Sequence, residues 1–344
     1  MQKIFLFLSF TLVTLNVFYG AYRPETTPTE TLETKMESPT TISNAKCPGN
    51  PEELGKVCWN RQLDSATIQS KATGKPILIL FQEVPGCSNC TRYGSSTLSH
   101  PLIVEAIEDL FVPLCVYNNK KGADAKVLEQ YNEPAWNNPV VRIINSDGKD
   151  LAQRMPDFRS QAEIVRGMAT ALKATGKTPP AYLNLLVEEL SARERGLDTA
   201  TFSMYCFWSG EGTFGEIPGV VETEPGFQDG KEVVKVVFDP SNVKRTDLEQ
   251  KTTPKGITAC AKNTGFRNDK TPKYYLSNTP WQYVPMTTLQ ACRANSMLGK
   301  GATPESVLSP RQIAVYQKLK ESDSKRLSSA IGKKDLAKAW KAVE

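Results

Sequence analysis

The sequence has 344 residues, 40% of them apolar and 23% charged, so it is long enough for two domains and apolar enough to fill their cores. The net charge is +5, and the basic residues are scattered in pairs such as Lys120-Lys121 without interleaved aromatic residues, which argues against nucleic-acid binding. The single histidine, His100, excludes metal sites that need two or three imidazoles. We expect no metal and no cofactor, and chemistry based on the eight cysteines.

The N-terminal segment is typical of an export signal. Lys3 precedes an apolar run from Ile4 to Val17 that is short for a membrane span. Because the cleavage region lacks small residues at both of the required positions, residues 1–21 are expected to be either a signal peptide or a membrane anchor through which the protein attaches to a membrane. Either case predicts an exported protein, periplasmic or secreted. Residues 22–55 are mostly polar and predict a disordered linker.

A regular alternation of strands and helices follows the linker. The continuously apolar run 77–81 predicts a strand covered on both faces. Further predicted elements are a helix at 102–111, a strand at 112–117, a helix near 123–131, a strand at 140–145 and a helix at 161–173. This order indicates an α/β sheet. Thr178-Pro179-Pro180 interrupts it before a helix at 182–195, which predicts a domain boundary near 178–198.

Four residues outside the two main motifs have simple structural interpretations. In an exported protein Cys47 and Cys58 can form a disulfide, although two unrelated thiols are an equally simple interpretation. Cys115 lies within an apolar strand and is expected to be a core residue. His100 directly precedes a predicted helix, far from any nucleophile elbow, and is interpreted as a capping or surface histidine.

Cys87 and Cys90 form a C-x-x-C motif between a strand and a segment that can become helical. A helix N-terminus lowers the pKa of the first cysteine, and a cysteine one turn later can resolve its mixed disulfides. A structural disulfide and half of a zinc site are the alternatives, but the sequence has no second C-x-x-C.

Residues 56–175 resemble the thioredoxin-like fold, on the order strand, C-x-x-C, helix and strand, with Lys75-Pro76 before the first strand. The resemblance implies that Pro139 is a cis-proline that faces the two cysteines and shapes a peptide-binding groove. Val-Pro-Gly-Cys is also similar to exported thioredoxin-like proteins that carry selenocysteine at the place of Cys87 and threonine at that of Cys90, so Cys90 departs from that subgroup.

A second cysteine, Cys206, stands directly before Phe207 and Trp208. Aromatic side chains beside a nucleophilic thiol offer an apolar pocket for a methyl group. The motifs Pro218-Gly219-Val220, Pro225-Gly226-Phe227 and the strand from Glu232 to Pro240 follow in order. Together they resemble peptide methionine sulfoxide reductase of type A, with its patterns Gly-Cys-Phe-Trp-Gly-x-Glu and Glu-x-Val-x-Val-x-Tyr-Asp-Pro.

This resemblance implies residue roles. Cys206 attacks the sulfoxide sulfur, Phe207 and Trp208 hold the methyl group, and Glu232, kept neutral by burial, protonates the oxygen. Asp269 and Tyr274, in a segment similar to the family's Asn-Asp-x-x-x-x-Tyr, help to hold the oxygen.

The family pattern assigns less specific roles to three further residues of the second domain. Glu211 matches a family glutamate and is expected to be structural. Cys260 and Cys292 are candidate resolving cysteines, and each could instead be a core residue.

The second domain also departs from the family pattern. Tyr205 and Ser209 replace the glycines that flank Cys-Phe-Trp. The loop before Glu232 is shortened to residues 228–231, so one oxygen-binding tyrosine has no counterpart, and the usual histidine is absent. A buried Cys-Phe-Trp strand with a solvated Glu232 is the structural alternative, and core packing is the default for Trp281.

The expected fold class is α/β and α+β, a thioredoxin-like domain followed by a methionine sulfoxide reductase A-like α/β sandwich domain. The expected segments are the leader at 1–21, the linker at 22–55, the thioredoxin-like domain at 56–178, a connecting helix at 179–198, the reductase-like domain at 199–309 and a Lys-rich helical tail with a solvated face at 310–344.

The expected function is an exported thiol oxidoreductase that reduces methionine sulfoxide in proteins and is recycled by Cys87 and Cys90. Its partners would be oxidised protein substrates and an upstream dithiol reductant. One alternative is a thiol-disulfide reductase that uses only Cys87 and Cys90, with a non-catalytic, client-binding second domain. Another is a binding module that captures oxidised or Met-rich clients without turnover.

Overall fold

The computed structural model describes residues 49–156, 160–262, 264–321, 328–333 and 335–343. The expected leader and Cys47 lie outside these residues. Residues Cys47–Glu344 group into one compact unit. Among the described residues, none of the helices combines the length and the apolar character that crossing a membrane requires.

The first sheet has the strand order β2-β1-β3-β4, with β2 parallel and β3 antiparallel to the central strand β1. Its strands are β1 at Ile77–Gln82, β2 at Val112–Tyr117, β3 at Val140–Ile144 and β4 at Met155–Pro156. All six residues of β1 are buried, as its continuous apolar run predicts, because helices cover both faces of the sheet. Cys115 is buried within β2, which confirms its assignment to the core.

The helices that accompany this sheet are α1 at Leu63–Thr73, α2 at Ser88–Ser96, α3 at Pro101–Leu110, α4 at Ala123–Gln130 and α5 at Gln161–Ala174. The helices and strands predicted between 77 and 174 are confirmed to within one residue at each end. Helix α3 could be predicted from the helical spacing of its apolar residues, because these residues pack directly into the core.

The chain is ordered earlier than the predicted linker allows. Glu52–Leu54 form a 3-10 helix, and Leu54 is buried. This turn packs closely on α2, because a Cβ at Gly94 would lie only 2.0 Å from the Glu52 carbonyl oxygen. The linker prediction was therefore wrong over its last residues, where one leucine joins the core. Cys58 is disulfide-bonded, and its pairing with Cys47 stays a prediction.

The second sheet has the order β8-β5-β7-β6-β9 and is antiparallel throughout. Its strands are β5 at Asp198–Ser203, β6 at Val220–Gln228, β7 at Lys231–Phe238, β8 at Thr258–Ala259 and β9 at Arg267–Asn268. Asp229 and Gly230 join β6 to β7 with φ values of 50° and 75°, the conformation of a two-residue hairpin turn. The shortened segment 228–231 is thus a tight hairpin.

The helices of this half are α6 at Ala181–Arg195, α7 at Phe207–Gly215, α8 at Arg245–Thr252, α9 at Tyr274–Ser277 and α10 at Thr288–Gly299. Helix α7 follows β5 and lies between the sheet and α10. Phe202 of β5 and Phe214 of α7 meet with ring centroids 4.6 Å apart, and both are fully buried. The aromatic core therefore fixes α7 against the sheet.

The C-terminal segment forms α11 at Pro310–Glu321 and α12 at Leu336–Lys341. Tyr316 stacks on Trp281 at 3.4 Å, and Leu319 and Trp340 are buried. The prediction of a simply solvated tail was wrong, because its lysines alternate with an apolar stripe at helical spacing. Trp281 is confirmed as a core residue.

Helix α3 of the first half contacts α11 through a buried carboxylate. Glu105 accepts hydrogen bonds from the Ser309 hydroxyl at 2.6 Å and the Arg311 amide at 2.8 Å. The Arg311 guanidinium forms an ion pair with Glu108 at 2.7 Å. Burial raises the pKa of Glu105 to about 7, although the hydrogen bond from Ser309 and the bond from Arg311 oppose this shift.

Candidate functional site

The C-x-x-C motif lies at the start of α2. Cys87 is the N-cap residue and is exposed, whereas Cys90 is buried one turn later. Both are free thiols, and their Sγ atoms are 3.8 Å apart. A Cβ at Gly86 would lie 2.4 Å from the Glu83 carbonyl oxygen and 2.7 Å from the Cys90 Cβ, so only glycine lets the loop fold this closely over the motif.

The surroundings shift the two thiols in opposite directions. A hydrogen bond from the Cys90 backbone amide lowers the pKa of Cys87, and burial opposes it only in part. Burial raises the pKa of Cys90 to about 11. An exposed sulfur that ionises easily and a buried one that keeps its proton suit nucleophilic attack by Cys87 and resolution by Cys90.

The Asn138-Pro139 peptide bond is cis, as the resemblance implied for Pro139. It belongs to the wall of the thiol site, because Cys90 Sγ lies 2.8 Å from the Asn138 Oδ1. Trp136, in the same loop, is 81% exposed. The loop before β3 therefore presents a large apolar ring near the C-x-x-C motif.

Two residues that support this site were missed in the sequence. The Glu53 Oε1 accepts a hydrogen bond from the Gly86 amide at 2.7 Å. Gln82 Nε2 donates to the carbonyl oxygens of Glu53 and Cys90, at 2.6 and 3.2 Å. Glu53 lies in the segment predicted as linker, so no sequence signal placed it beside the motif.

Cys206 is half-buried and is the N-cap residue of α7. The Glu232 Oε2 accepts a hydrogen bond from the Phe207 amide at 2.9 Å, and the Glu232 carbonyl accepts one from the Met204 amide at 3.2 Å. These contacts flank Cys206 in the chain, so the Glu232 carboxyl group lies at the first turn of α7, bonded to the residue that follows Cys206. Glu232 is half-buried.

Aromatic rings surround the start of α7. The Trp208 indole stacks on the Tyr274 ring with centroids 3.9 Å apart and an interplanar angle of 15°. Phe207 meets Trp208 and Phe227 edge to face, at 5.5 and 5.3 Å. The structure therefore brings together Phe207, Trp208 and Tyr274, with Phe227 as an additional wall. Tyr205 points away from this group and is 99% exposed.

A buried ion pair holds Tyr274 in place. Lys273 Nζ lies 3.2 Å from the Glu211 Oε1, and its amide donates to the Glu211 Oε2 at 2.9 Å. Because Glu211 belongs to α7, this pair ties the segment before α9 to the helix that begins at Cys206. Glu211 therefore positions Tyr274 against Trp208, which agrees with its expected structural role.

Asp269 directly follows β9 and is held by two hydrogen bonds that involve backbone groups. Its Oδ2 accepts a hydrogen bond from the Thr271 amide at 3.0 Å, and its own amide donates to the Pro225 carbonyl at 2.8 Å. Asp269 lines a cavity of about 980 Å³ together with Glu222 and His100, and Cys206 does not belong to that lining.

His100 also lines this cavity. It is the N-cap residue of α3, which agrees with its expected place at a helix start, but its side chain makes no capping hydrogen bond. Burial lowers the pKa of His100 to about 4, so the imidazole is neutral at ordinary pH. The residue as a whole is half-buried.

The two candidate resolving cysteines have different surroundings. Cys292 is buried, and its Sγ lies 3.6 Å from the Thr223 hydroxyl. The same sulfur lies 3.3 Å from where a Cβ of Gly215, the last residue of α7, would be. Cys206 directly precedes the first residue of α7 and is therefore about 13 Å from Gly215, at the usual rise per residue of a helix. Cys260 is half-buried, beside Ser203 at the end of β5.

Residues 58–146 match a family model described as thioredoxin-like. The first sheet and its helices form a thioredoxin-like domain. A solved DsbH oxidoreductase is 20% identical, with a TM-score of 0.30, and the alignment covers 40% of this chain and 95% of that one.

The chain is also similar to curated peptide methionine sulfoxide reductases named MsrA. The relative from Methanococcus maripaludis is 40% identical, over 15% of this chain and 43% of the relative. The relative from Methanoculleus marisnigri is 39% identical, over 15% of this chain and 42% of the relative. The relative from Rhodospirillum centenum is 37% identical, over 15% of this chain and 32% of the relative. The chain thus spans less than half the length of these relatives.

Proposed function

We propose that this protein is an exported oxidoreductase that acts on sulfur and reduces methionine sulfoxide in proteins. The observation that carries the proposal is the hydrogen bond that the Glu232 carboxyl accepts from the Phe207 amide, because it ties the proposed acid to the residue next to Cys206. The neighbouring aromatic rings offer a pocket for the methyl group of the sulfoxide. The similarity to peptide methionine sulfoxide reductases and the thioredoxin-like domain support the same chemistry.

The proposed reaction moves one oxygen atom and two electrons. Cys206 attacks the sulfoxide sulfur, Glu232 protonates the departing oxygen, and the products are a thioether and a sulfenic acid on Cys206. A second thiol condenses with the sulfenic acid, which releases water and forms a disulfide. Reduced Cys87 and Cys90 then reduce that disulfide and become a disulfide themselves. An upstream dithiol supplies the next electron pair.

We propose Cys260, and not Cys292, as the resolving thiol. A disulfide requires Cα atoms within about 7 Å of each other. Cys292 lies at the far end of α7 from Cys206 and is buried beside Thr223. Cys260 is half-buried and follows β8, which pairs with the strand that leads to Cys206.

Cysteine variants of the full chain test this proposal with a methionine sulfoxide peptide as substrate. Cys206→Ser is expected to lower the rate at least a thousandfold, because the nucleophile is lost. Cys87→Ser is expected to leave one turnover per molecule and abolish recycling by a protein dithiol. Cys115→Ser, which changes a buried thiol of β2 that takes no part in the proposed reaction, serves as the matched control. Activity that persists in Cys206→Ser would contradict the proposal.

The asymmetric thiols of Cys87 and Cys90 favour a second candidate, a thiol-disulfide reductase whose second domain only binds clients. In that case insulin reduction depends on Cys87 alone, and no variant reduces the sulfoxide peptide. A pure binding module would hold the peptide without reducing either substrate. The same set of variants therefore separates all three functions.

A further inference from the structure

The loop before α2 brings a carboxylate to the two cysteines of the C-x-x-C motif. One ligating atom from each of Glu83, Cys87 and Cys90 can be chosen so that all three lie within 4.8 Å of one another. Sequence spacing showed only the two cysteines, which are half of a tetrahedral zinc site. The third donor became visible only in the folded loop.

The distance between the sulfurs suits a tetrahedral ion. Two thiolates bound at about 2.3 Å with a tetrahedral angle between them are separated by about 3.8 Å. The Cys87 and Cys90 Sγ atoms are 3.8 Å apart as free thiols. An ion between them would therefore require little movement of either cysteine.

The Glu83 carboxylate is available as a ligand. Within the described part of the chain, no donor or cation pairs with this side chain, which is half-buried. A carboxylate oxygen and a thiolate sulfur on one tetrahedral ion lie about 3.6 Å apart. A movement of the Glu83 carboxylate by about 1 Å is therefore enough for all three side chains to bind one ion.

We propose that reduced Cys87, reduced Cys90 and Glu83 form a site for a thiophilic divalent cation of the Zn²⁺ class. The ion has three protein ligands and a fourth position open to solvent, since Cys87 lies at the surface. Binding replaces two S–H bonds with two metal–sulfur bonds and releases two protons, without any change of oxidation state. It also removes the hydrogen bond between Cys90 Sγ and Asn138 Oδ1.

Occupation of this site would compete with redox chemistry. A thiolate bound to an ion cannot attack a disulfide, and a disulfide cannot bind the ion. The cation therefore holds the motif reduced and inactive until a chelator removes it. The site needs only the two reduced thiols and the carboxylate, so it does not depend on the sulfoxide chemistry proposed for Cys206.

The test is a titration of the reduced full chain with Zn²⁺ in competition with a chromogenic chelator, and with Cd²⁺ followed by its thiolate charge-transfer absorption. We expect one ion per chain, and protection of Cys87 from alkylation. Cys87→Ser and Cys90→Ser are expected to abolish binding. Glu83→Gln is expected to weaken binding at least tenfold, because an amide oxygen is a poorer ligand than a carboxylate.

Matched controls separate this site from other thiols. Glu129→Gln, an exposed glutamate of α4, and Cys206→Ser are expected to bind like the unchanged chain. The oxidised chain, which carries no substitution, is expected to lose binding and regain it on reduction, so a folding defect of a variant cannot imitate the result. Unchanged affinity in Glu83→Gln, or loss of binding in Cys206→Ser, would overturn the proposal.

Discussion

At the scale of single residues, Glu232 has two neighbours that define its role. Its Oε2 accepts the Phe207 amide hydrogen, and its backbone belongs to β7, opposite Phe227 in the register of the hairpin. A glutamine at this place would keep the hydrogen bond and the shape of the side chain. It could not donate a carboxylic proton to a departing oxygen.

Glu232→Gln is therefore expected to lower kcat for a methionine sulfoxide peptide by about 10²–10⁴-fold and to leave KM nearly unchanged. Steady-state kinetics of the full chain provide the measurement. Glu224→Gln is the matched control, a half-buried glutamate of the same sheet whose carboxylate pairs with Lys235. Equal losses in the two variants would mean that Glu232 acts through folding alone.

The residues that a local motif carries were predictable, and those that depend on the path of a loop were not. Phe207, Trp208 and Tyr274 meet in space as their family pattern implied. Glu53 and Glu83 reach the C-x-x-C motif only because Gly86 allows a tight loop and the first 3-10 turn docks on α2. Neither event leaves a periodic signal in the sequence.

At the scale of elements, α7 carries Cys206 and is held by α10. A Cβ at Gly215 would lie 2.8 Å from the Cys292 carbonyl oxygen, which is backbone and cannot rotate away. A Cβ at Gly212 of the same helix would meet only Tyr275 Cε2, at 3.7 Å. Gly212 lies inside α7 and Gly215 is its last residue, and only Gly215 is packed tightly against α10.

Gly215→Ala is expected to lower the free energy of unfolding by about 1–3 kcal/mol, because α10 must move away. Gly212→Ala is expected to raise it by about 0.5–1 kcal/mol, because alanine favours the helix. Urea titrations of both variants measure these changes in the free energy of unfolding. A gain in stability for Gly215→Ala would contradict the close packing of the two helices.

The elements that could be predicted share a strong pattern in one stretch of chain. Strand β1 is wholly apolar, and α3 has apolar residues at helical spacing, so both were located from the sequence. Helix α11 was expected to be solvated because it belongs to a Lys-rich tail, whose overall charge hides the apolar Val315 and Leu319. Their burial depends on contacts with Trp281 and other residues that are distant in the sequence. The local sequence pattern around α11 cannot reveal such contacts.

At the scale of the whole molecule, Glu105 is the buried carboxylate between α3 and α11. Its pKa rises from an ordinary value of 4.5 to about 7 on folding, mainly because burial disfavours the charge. The folded chain thus holds this proton more tightly than the unfolded chain does. The resulting stability is fully present below pH 4.5 and is lost as the pH rises through 7.

Between pH 5 and pH 8 the unchanged chain is therefore expected to lose up to about 3 kcal/mol more stability than Glu105→Gln, whose side chain does not titrate. Urea unfolding followed by circular dichroism at several pH values measures this difference. Glu129→Gln, exposed on α4, should follow the unchanged chain. Identical pH profiles for the unchanged chain and Glu105→Gln would show that Glu105 is not responsible.

The contact between α3 and α11 also limits how the molecule can be dissected. Recombinant production of the thioredoxin-like part alone would sever Arg311 from Glu108 and Asp109 and uncover Glu105. Glu105, Glu108 and Asp109 would then lie close together on α3, without the arginine that forms ion pairs with two of them. A useful fragment would have to carry the α11 segment along, joined by a substitute connection.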